Sequence, residues 1–118
     1  MNIAVVGSRE FKSKEIFLSV MTGVKYEFRG EFVTIISGGA DGPDTWAYDW
    51  AKEHGLNTEI IPAEWKKYGK PAGMIRNTKI VNRADLIIAF WDGSSHGTND
   101  TIEKTKTQKK DLRIIWYR

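Results

Sequence analysis

Apolar residues fall into two rhythms along this chain, short unbroken runs and stretches with three- to four-residue spacing, and the two alternate from end to end. Asn2–Val6 is a β-branched run halted by Gly7, after which Phe17, Val20, Met21, Val24 and Phe28 recur at helical spacing. This predicts a strand and then an amphipathic helix. Phe32–Ile36 predicts a second strand. Pro43 stands where a first helical turn tolerates it, and Trp46, Ala47, Trp50 and Ala51 form one stripe before Gly55 stops the helix.

Thr58–Ile61 reads as a third strand ended by Pro62. The segment from Pro62 to Ala72 holds Pro71, Gly69, Trp65 and Tyr68 with no clear period, which predicts a long crossover loop of the kind that often carries function. Gly73–Arg83 is expected to be helical, Leu86–Phe90 a continuous apolar strand, Thr98–Lys109 a polar helix and Leu112–Tyr117 a closing strand. Strands alternating with helices imply an α/β, Rossmann-like three-layer arrangement with a mostly parallel sheet of about five strands. The first strand is expected in the centre, beside the second and fourth.

Size and charge narrow the class. With 118 residues, 41% of them hydrophobic, one domain spanning 1–118 is expected. The absence of cysteine excludes disulfides, thiolate metal sites and a cysteine nucleophile. No apolar stretch approaches the ~20 residues of a membrane span, and the N-terminus lacks a signal-peptide pattern, so the expectation is a cytoplasmic protein without a membrane partner. Neither histidine pairs with a carboxylate at ligand spacing, so no metal is expected, and no cofactor is called for. The net charge of +3 suits an anionic ligand. Six basic residues against one acid between Lys104 and Arg118 read better as a solvated face than as a nucleic-acid patch, because no aromatic interrupts the lysine run of Lys104, Lys106, Lys109 and Lys110.

Each of three apolar runs is followed by small polar residues: Gly7, Ser8 and Arg9; Ser37, Gly38, Gly39, Ala40, Asp41 and Gly42; Asp92, Gly93, Ser94, Ser95, His96, Gly97 and Thr98. Small residues let backbone N–H groups approach an anion, and a helix starting just beyond adds its partial positive charge. All three loops lie at predicted strand carboxyl ends, where open α/β sheets bind ligands. Arg9 offers a bidentate cation for phosphate or carboxylate. Asp41 suits a ribose hydroxyl or a helix cap, and Thr98 an N-cap. Arg76 and Asn77 could aim a cation and an amide into the same crevice, and Trp65 with Tyr68 could stack on a base. His96 is read as a solvent-exposed loop donor more readily than as a general base. Neither the GxGxxG nor the GxxxxGK[ST] pattern is present, and there is no G-x-S-x-G elbow.

Taken in order, Ile3 to Arg9, Ser37 to Pro43, Pro62 to Trp65, Gly69 to Gly73, Arg76-Asn77, Ala84-Asp85 and Asp92 to Thr98 resemble the SLOG superfamily of Rossmann-like nucleotide-binding proteins, and within it the small YspA and cpYpsA-related branch. The superfamily includes the LOG-type enzymes that release a base from nucleoside monophosphates, and the DNA-processing protein DprA. Against the LOG signature M-x-x-R-K-x-x-M and P-G-G-x-G-T-x-x-E, Arg76 and Gly97-Thr98 match. Gly93, Ser94 and Ser95 replace the P-G-G, Asn77 the lysine, and Thr101 the glutamate that acts on the ribose centre. Asp100 and Glu103 flank that position but lie roughly 100° and 200° around a helix from it.

The resemblance therefore implies binding of a nucleotide or ADP-ribose-like ligand, as a sensor or sequestering module of the kind met in bacterial and phage conflict systems. The phosphates would be held by Gly38, Gly39, Gly97 and Thr98, the anionic groups paired by Arg9 and Arg76, and the ribose hydroxyls met by Asp41 and Asp92. A LOG-like hydrolase, with Arg76 and one of Asp41, Asp92 or Asp100, is the alternative, and DNA or RNA binding a weaker one. Trp116 and Tyr117 on an edge strand invite a homodimer or higher assembly.

Overall fold

A computed structural model describes residues 1–116. In chain order the elements are β1 (Asn2–Gly7), α1 (Lys14–Glu27), β2 (Thr34–Ser37), α2 (Pro43–Glu53), β3 (Asn57–Ile60), α3 (Trp65–Tyr68), α4 (Ala72–Arg83), β4 (Leu86–Trp91), α5 (His96–Thr107) and β5 (Asp111–Trp116). The five strands form one all-parallel sheet in the order β3-β2-β1-β4-β5, with β1 central between β2 and β4 as the pattern implies.

Alternation along β1 divides the core. Ile3 and Val5 face Phe17, Met21 and Val24 of α1 and Ala47, Trp50 and Ala51 of α2. Ala4 and Val6 face Ile80 and Ala84 of α4 and Ile102 of α5. The sheet is thus covered by helices on both sides, which is why Leu86–Phe90 is buried throughout and reads as an unbroken apolar run. The α1/α2 side is the bulky one, where Phe11, Phe17, Trp46 and Phe90 pack edge-on or tilted with centroids 5.2–6.5 Å apart. Ser13 caps α1 by accepting the Ile16 N–H.

Several expectations need correction. Phe32 is 78% exposed and precedes β2, because pairing with β1 begins at Asn2 opposite Thr34. The expected loop from Pro62 to Ala72 contains the single turn α3, whose Tyr68 and Gly69 N–H groups bond back to Glu64 and Trp65. Thr98 is not the cap of α5: the helix begins at His96 with Ser95 as N-cap, and Thr98 lies buried in the first turn. The reason is Asp92, whose Oδ1 accepts the N–H groups of both Ser94 and Ser95 at 2.9 Å and turns the chain into the helix two residues early. Of the expected edge pair, Trp116 ends β5, and Tyr117 lies outside the described residues.

Candidate functional site

The helices that follow β1 and β4 cover opposite faces of the sheet, so the chain leaves these two adjacent strands in opposite directions and opens a crevice between their carboxyl ends. The crevice has an inner lobe of about 430 Å³ and an outer lobe of about 310 Å³. Gly7 makes the floor possible. A Cβ there would sit 2.5–2.6 Å from the Pro43 ring and 3.1 Å from the Phe90 carbonyl oxygen, so only glycine lets α2 begin directly against the end of β1.

One carboxylate ties the floor together. Asp44, in the first turn of α2, is only 4% exposed; its Oδ1 accepts the Gly7 N–H and its Oδ2 the Gly38 N–H, both at 3.1 Å. It thereby joins the ends of β1 and β2. Burial drives its pKa up to about 6, against the opposing pull of the Gly38 N–H, the Arg76 charge and the Gly7 N–H. Sequence reasoning stopped at Asp41 and passed over Asp44. The available signal was an acid directly after a proline at a helix start, where first-turn acids meet free N–H groups.

Arg76 is held on two edges. Its Nε donates to Asn77 Oδ1 and its Nη1 to the Gly38 carbonyl, each at 3.0 Å. Asn77, buried beside it, donates through Nδ2 to the Gly97 carbonyl and to Asp100 Oδ2. Asp100 in turn accepts from Lys104 Nζ at 2.7 Å, and that ammonium also bonds the Met74 carbonyl. This polar chain fixes α4 against α5. Arg76 is thereby oriented by its helix neighbour Asn77 and by the loop that follows β2.

On the other side, Ser8 Oγ lies 3.5 Å from Thr98 Oγ1 and accepts the Asp92 N–H at 3.4 Å. The Ser94 and Ser95 N–H groups hold the Asp92 carboxyl below its usual pKa. Thr101, buried, lines the inner lobe and donates its hydroxyl to the Gly97 carbonyl.

The expected residues divide as follows. Gly7, Ser8, Asn77, Asp92, Ser94, Ser95, Gly97 and Thr98 line the inner lobe. Gly38, Gly39, Asp41 and Trp65 line the outer one. Arg9, Ala40 and Arg76 line both. Ser37 and Gly42 line neither: Ser37 ends β2 beneath the crevice, and Gly42 is the N-cap of α2 at φ +85°. Asp100 stands behind the inner lobe, committed to Asn77 and Lys104, and His96 is exposed at the start of α5, outside both lobes. Among the described residues no cluster of three or more His, Asp or Glu side chains could hold a metal ion, and no helix is long and apolar enough to cross a membrane.

The sequence profile of the YspA, cpYpsA-related SLOG family matches residues 1–68. The chain belongs to this SLOG family. A relative of this SLOG chain, the Gene 61 protein of Mycobacterium phage D29, is 30% identical over 119 aligned positions, covering 96% of the chain and 93% of the relative. Among solved structures, DNA processing protein A (DprA) of Streptococcus pneumoniae superposes with a TM-score of 0.77 at 23% identity, covering 96% of the SLOG chain and 49% of its own. DprA of Helicobacter pylori, whose structure addresses its single-stranded DNA binding mode, gives a TM-score of 0.77 at 17% identity over 100% of the chain and 66% of its own. The SLOG chain thus spans about half to two thirds of these two proteins, and at such identities they share its fold.

Proposed function

We propose that this SLOG domain binds a phosphorylated nucleotide-type ligand in the crevice and serves as a sensor or sequestering module. The observation that carries the reading is the convergence of two arginines, Arg9 and Arg76, with the start of α5 at the switch point between β1 and β4. Arg9 has no partner among the described residues, and Arg76 keeps its Nη2 unbonded. The first-turn N–H groups of α5 are free, as at any helix start. These donors suit phosphate oxygens.

Binding is favoured over LOG-like hydrolysis because the carboxylates named for catalysis are committed or remote. Asp92 is stabilised as an anion by its turn, Asp100 is paired with Lys104, Asp41 is exposed in the outer lobe, and Thr101 carries no charge. A second reading is single-stranded nucleic acid, against the expectation from composition. It draws on the Helicobacter relative's DNA-binding mode and on the exposed run Trp65, Lys66, Lys67 and Lys70 beside the outer lobe.

The test is thermal melting with a panel of nucleoside mono-, di- and triphosphates, ADP-ribose and NAD, with products analysed by mass spectrometry. A ligand at 100 times its dissociation constant adds ~2.7 kcal/mol, a shift on the order of 10 °C. The expected result is a shift with intact ligand that Arg76→Ala abolishes. Released base would establish the hydrolase instead. No shift, with binding to a single-stranded oligonucleotide that weakens steeply with salt, would replace this reading with nucleic acid.

A further inference from the structure

The two lobes meet at two cations. Arg9 and Arg76 line both, and the bonds of Arg76 to Asn77 and the Gly38 carbonyl hold its guanidinium where both lobes reach it. The outer lobe has its own chemistry. The Gly39, Ala40 and Asp41 N–H groups donate to no acceptor among the described residues, and Trp65, 59% exposed, stands at the wall. One edge of its ring passes close over Gly73, where an added Cβ would lie 3.4 Å from the ring's Cη2. Each lobe is near the lower end of the ~300–1,000 Å³ typical of small-molecule sites, so each suits one nucleoside-sized unit.

Resting on the nucleotide reading above, we infer that the ligand has two nucleoside-sized units joined by a phosphodiester or diphosphate, with the linker at the Arg9–Arg76 junction and the outer unit stacked on Trp65. A mononucleotide in the inner lobe leaves the outer lobe's three N–H groups and the Trp65 face to water. A two-unit ligand brings the linker between the cations and an aromatic or sugar face onto the indole, a contact that base–aromatic stacking makes favourable. Such a linked pair comes either from a free dinucleotide or ADP-ribose-type molecule, or from two successive residues of a single strand.

Isothermal titration at fixed salt with AMP, ADP-ribose, the dinucleotide pApA and a ten-residue oligodeoxyadenylate, repeated with the thymidine series, tests this. At least one two-unit ligand is expected to bind about fivefold or more tighter than its mononucleotide, the lower bound of one ring stack. Trp65→Ala should collapse that ratio toward one, and Trp65→Phe should restore part of it. If the ten-mer greatly outbinds pApA, the pair belongs to a strand; if ADP-ribose or pApA binds as well as the ten-mer, it belongs to a free molecule. Mononucleotides binding as tightly as every two-unit ligand, or a ratio unchanged in Trp65→Ala, would overturn the two-unit inference while leaving the nucleotide reading intact. Failure of every ligand to bind would remove both.

Discussion

Replacing Asp44 by asparagine makes the cost of its burial measurable. The carboxyl is 4% exposed, and its pKa rises from the usual 3.8 to about 6, a preference for the neutral form worth about 3 kcal/mol when fully expressed. The folded chain therefore holds this proton more tightly than the unfolded chain between those two values. Stability from this group is gained as pH falls through about 6, is complete below the unfolded value, and is absent above about 6. Between pH 7 and pH 5 the gain works out at about 1 kcal/mol.

Asp44→Asn removes that titration but keeps the shape. Its amide leaves one of the Gly7 and Gly38 N–H groups facing an NH₂, a penalty that does not change with pH. Urea unfolding of both proteins from pH 7 to pH 5 should therefore show the native protein gaining on the variant by about 1 kcal/mol, roughly 0.3–1 M in midpoint. Carboxyls such as Asp92, held below their usual pKa, act in the opposite sense, stabilising above the unfolded value and losing this as pH falls. They are common to both proteins and cancel in the difference. A flat difference, or one that shrinks on acidification, would refute the claim that burial outweighs the two N–H bonds and the Arg76 charge.

Other changes test the frame around the site. Gly7→Ala drives a methyl into the Pro43 ring and should cost about 1–3 kcal/mol by chemical denaturation, with Gly23→Ala, where nothing lies within 4 Å, as the tolerated control. Lys110 donates to the Val81, Asn82 and Ala84 carbonyls at 2.6–3.0 Å, closing the end of α4; Lys110→Met should lower stability by about 1–3 kcal/mol. Lys109 holds φ at +56° just past α5, so Lys109→Gly should raise the melting temperature, by about 1 kcal/mol of relieved strain.

What was legible in the sequence follows from what each signal physically reports. Strand order was readable because Leu86–Phe90, apolar on both faces, has to be interior, and because each glycine-rich loop marks a strand end near which backbone approaches backbone. Element starts were less legible. Whether α5 begins at His96 or Thr98 turns on the side chain of Asp92 three residues before the cap, which hydropathy does not register. The turn at Trp65–Tyr68 escaped for a related reason: four residues are too few to display a period.

The same logic explains why Asp41 stood out and Asp44 did not. Glycines advertise closeness, so the acid among them draws notice, yet Asp41 is exposed and carries no bond that orders the site. Asp44 sits one turn inward, where the closeness created by Gly7 and Gly38 leaves two N–H groups with one shared acceptor. Neither glycine admits a Cβ without displacing Pro43 or the Arg76 guanidinium, so the acceptor has to arrive from the helix they abut. Arg76 then completes the arrangement, bonding the carbonyl of Gly38, the residue whose N–H Asp44 holds. Cation and carboxylate thus grip one segment from both ends. Any anion drawn to Arg76 is felt by a buried carboxyl already close to taking a proton, so a phosphate in this crevice should bind more tightly, and with proton uptake, as pH falls from 8 toward 6. Titration of a phosphodiester, whose own charge does not change between pH 8 and 6, in two buffers of different ionisation enthalpy measures that proton. Its absence in the native protein, with binding intact, would mean that the anion sits too far from Asp44 for this coupling.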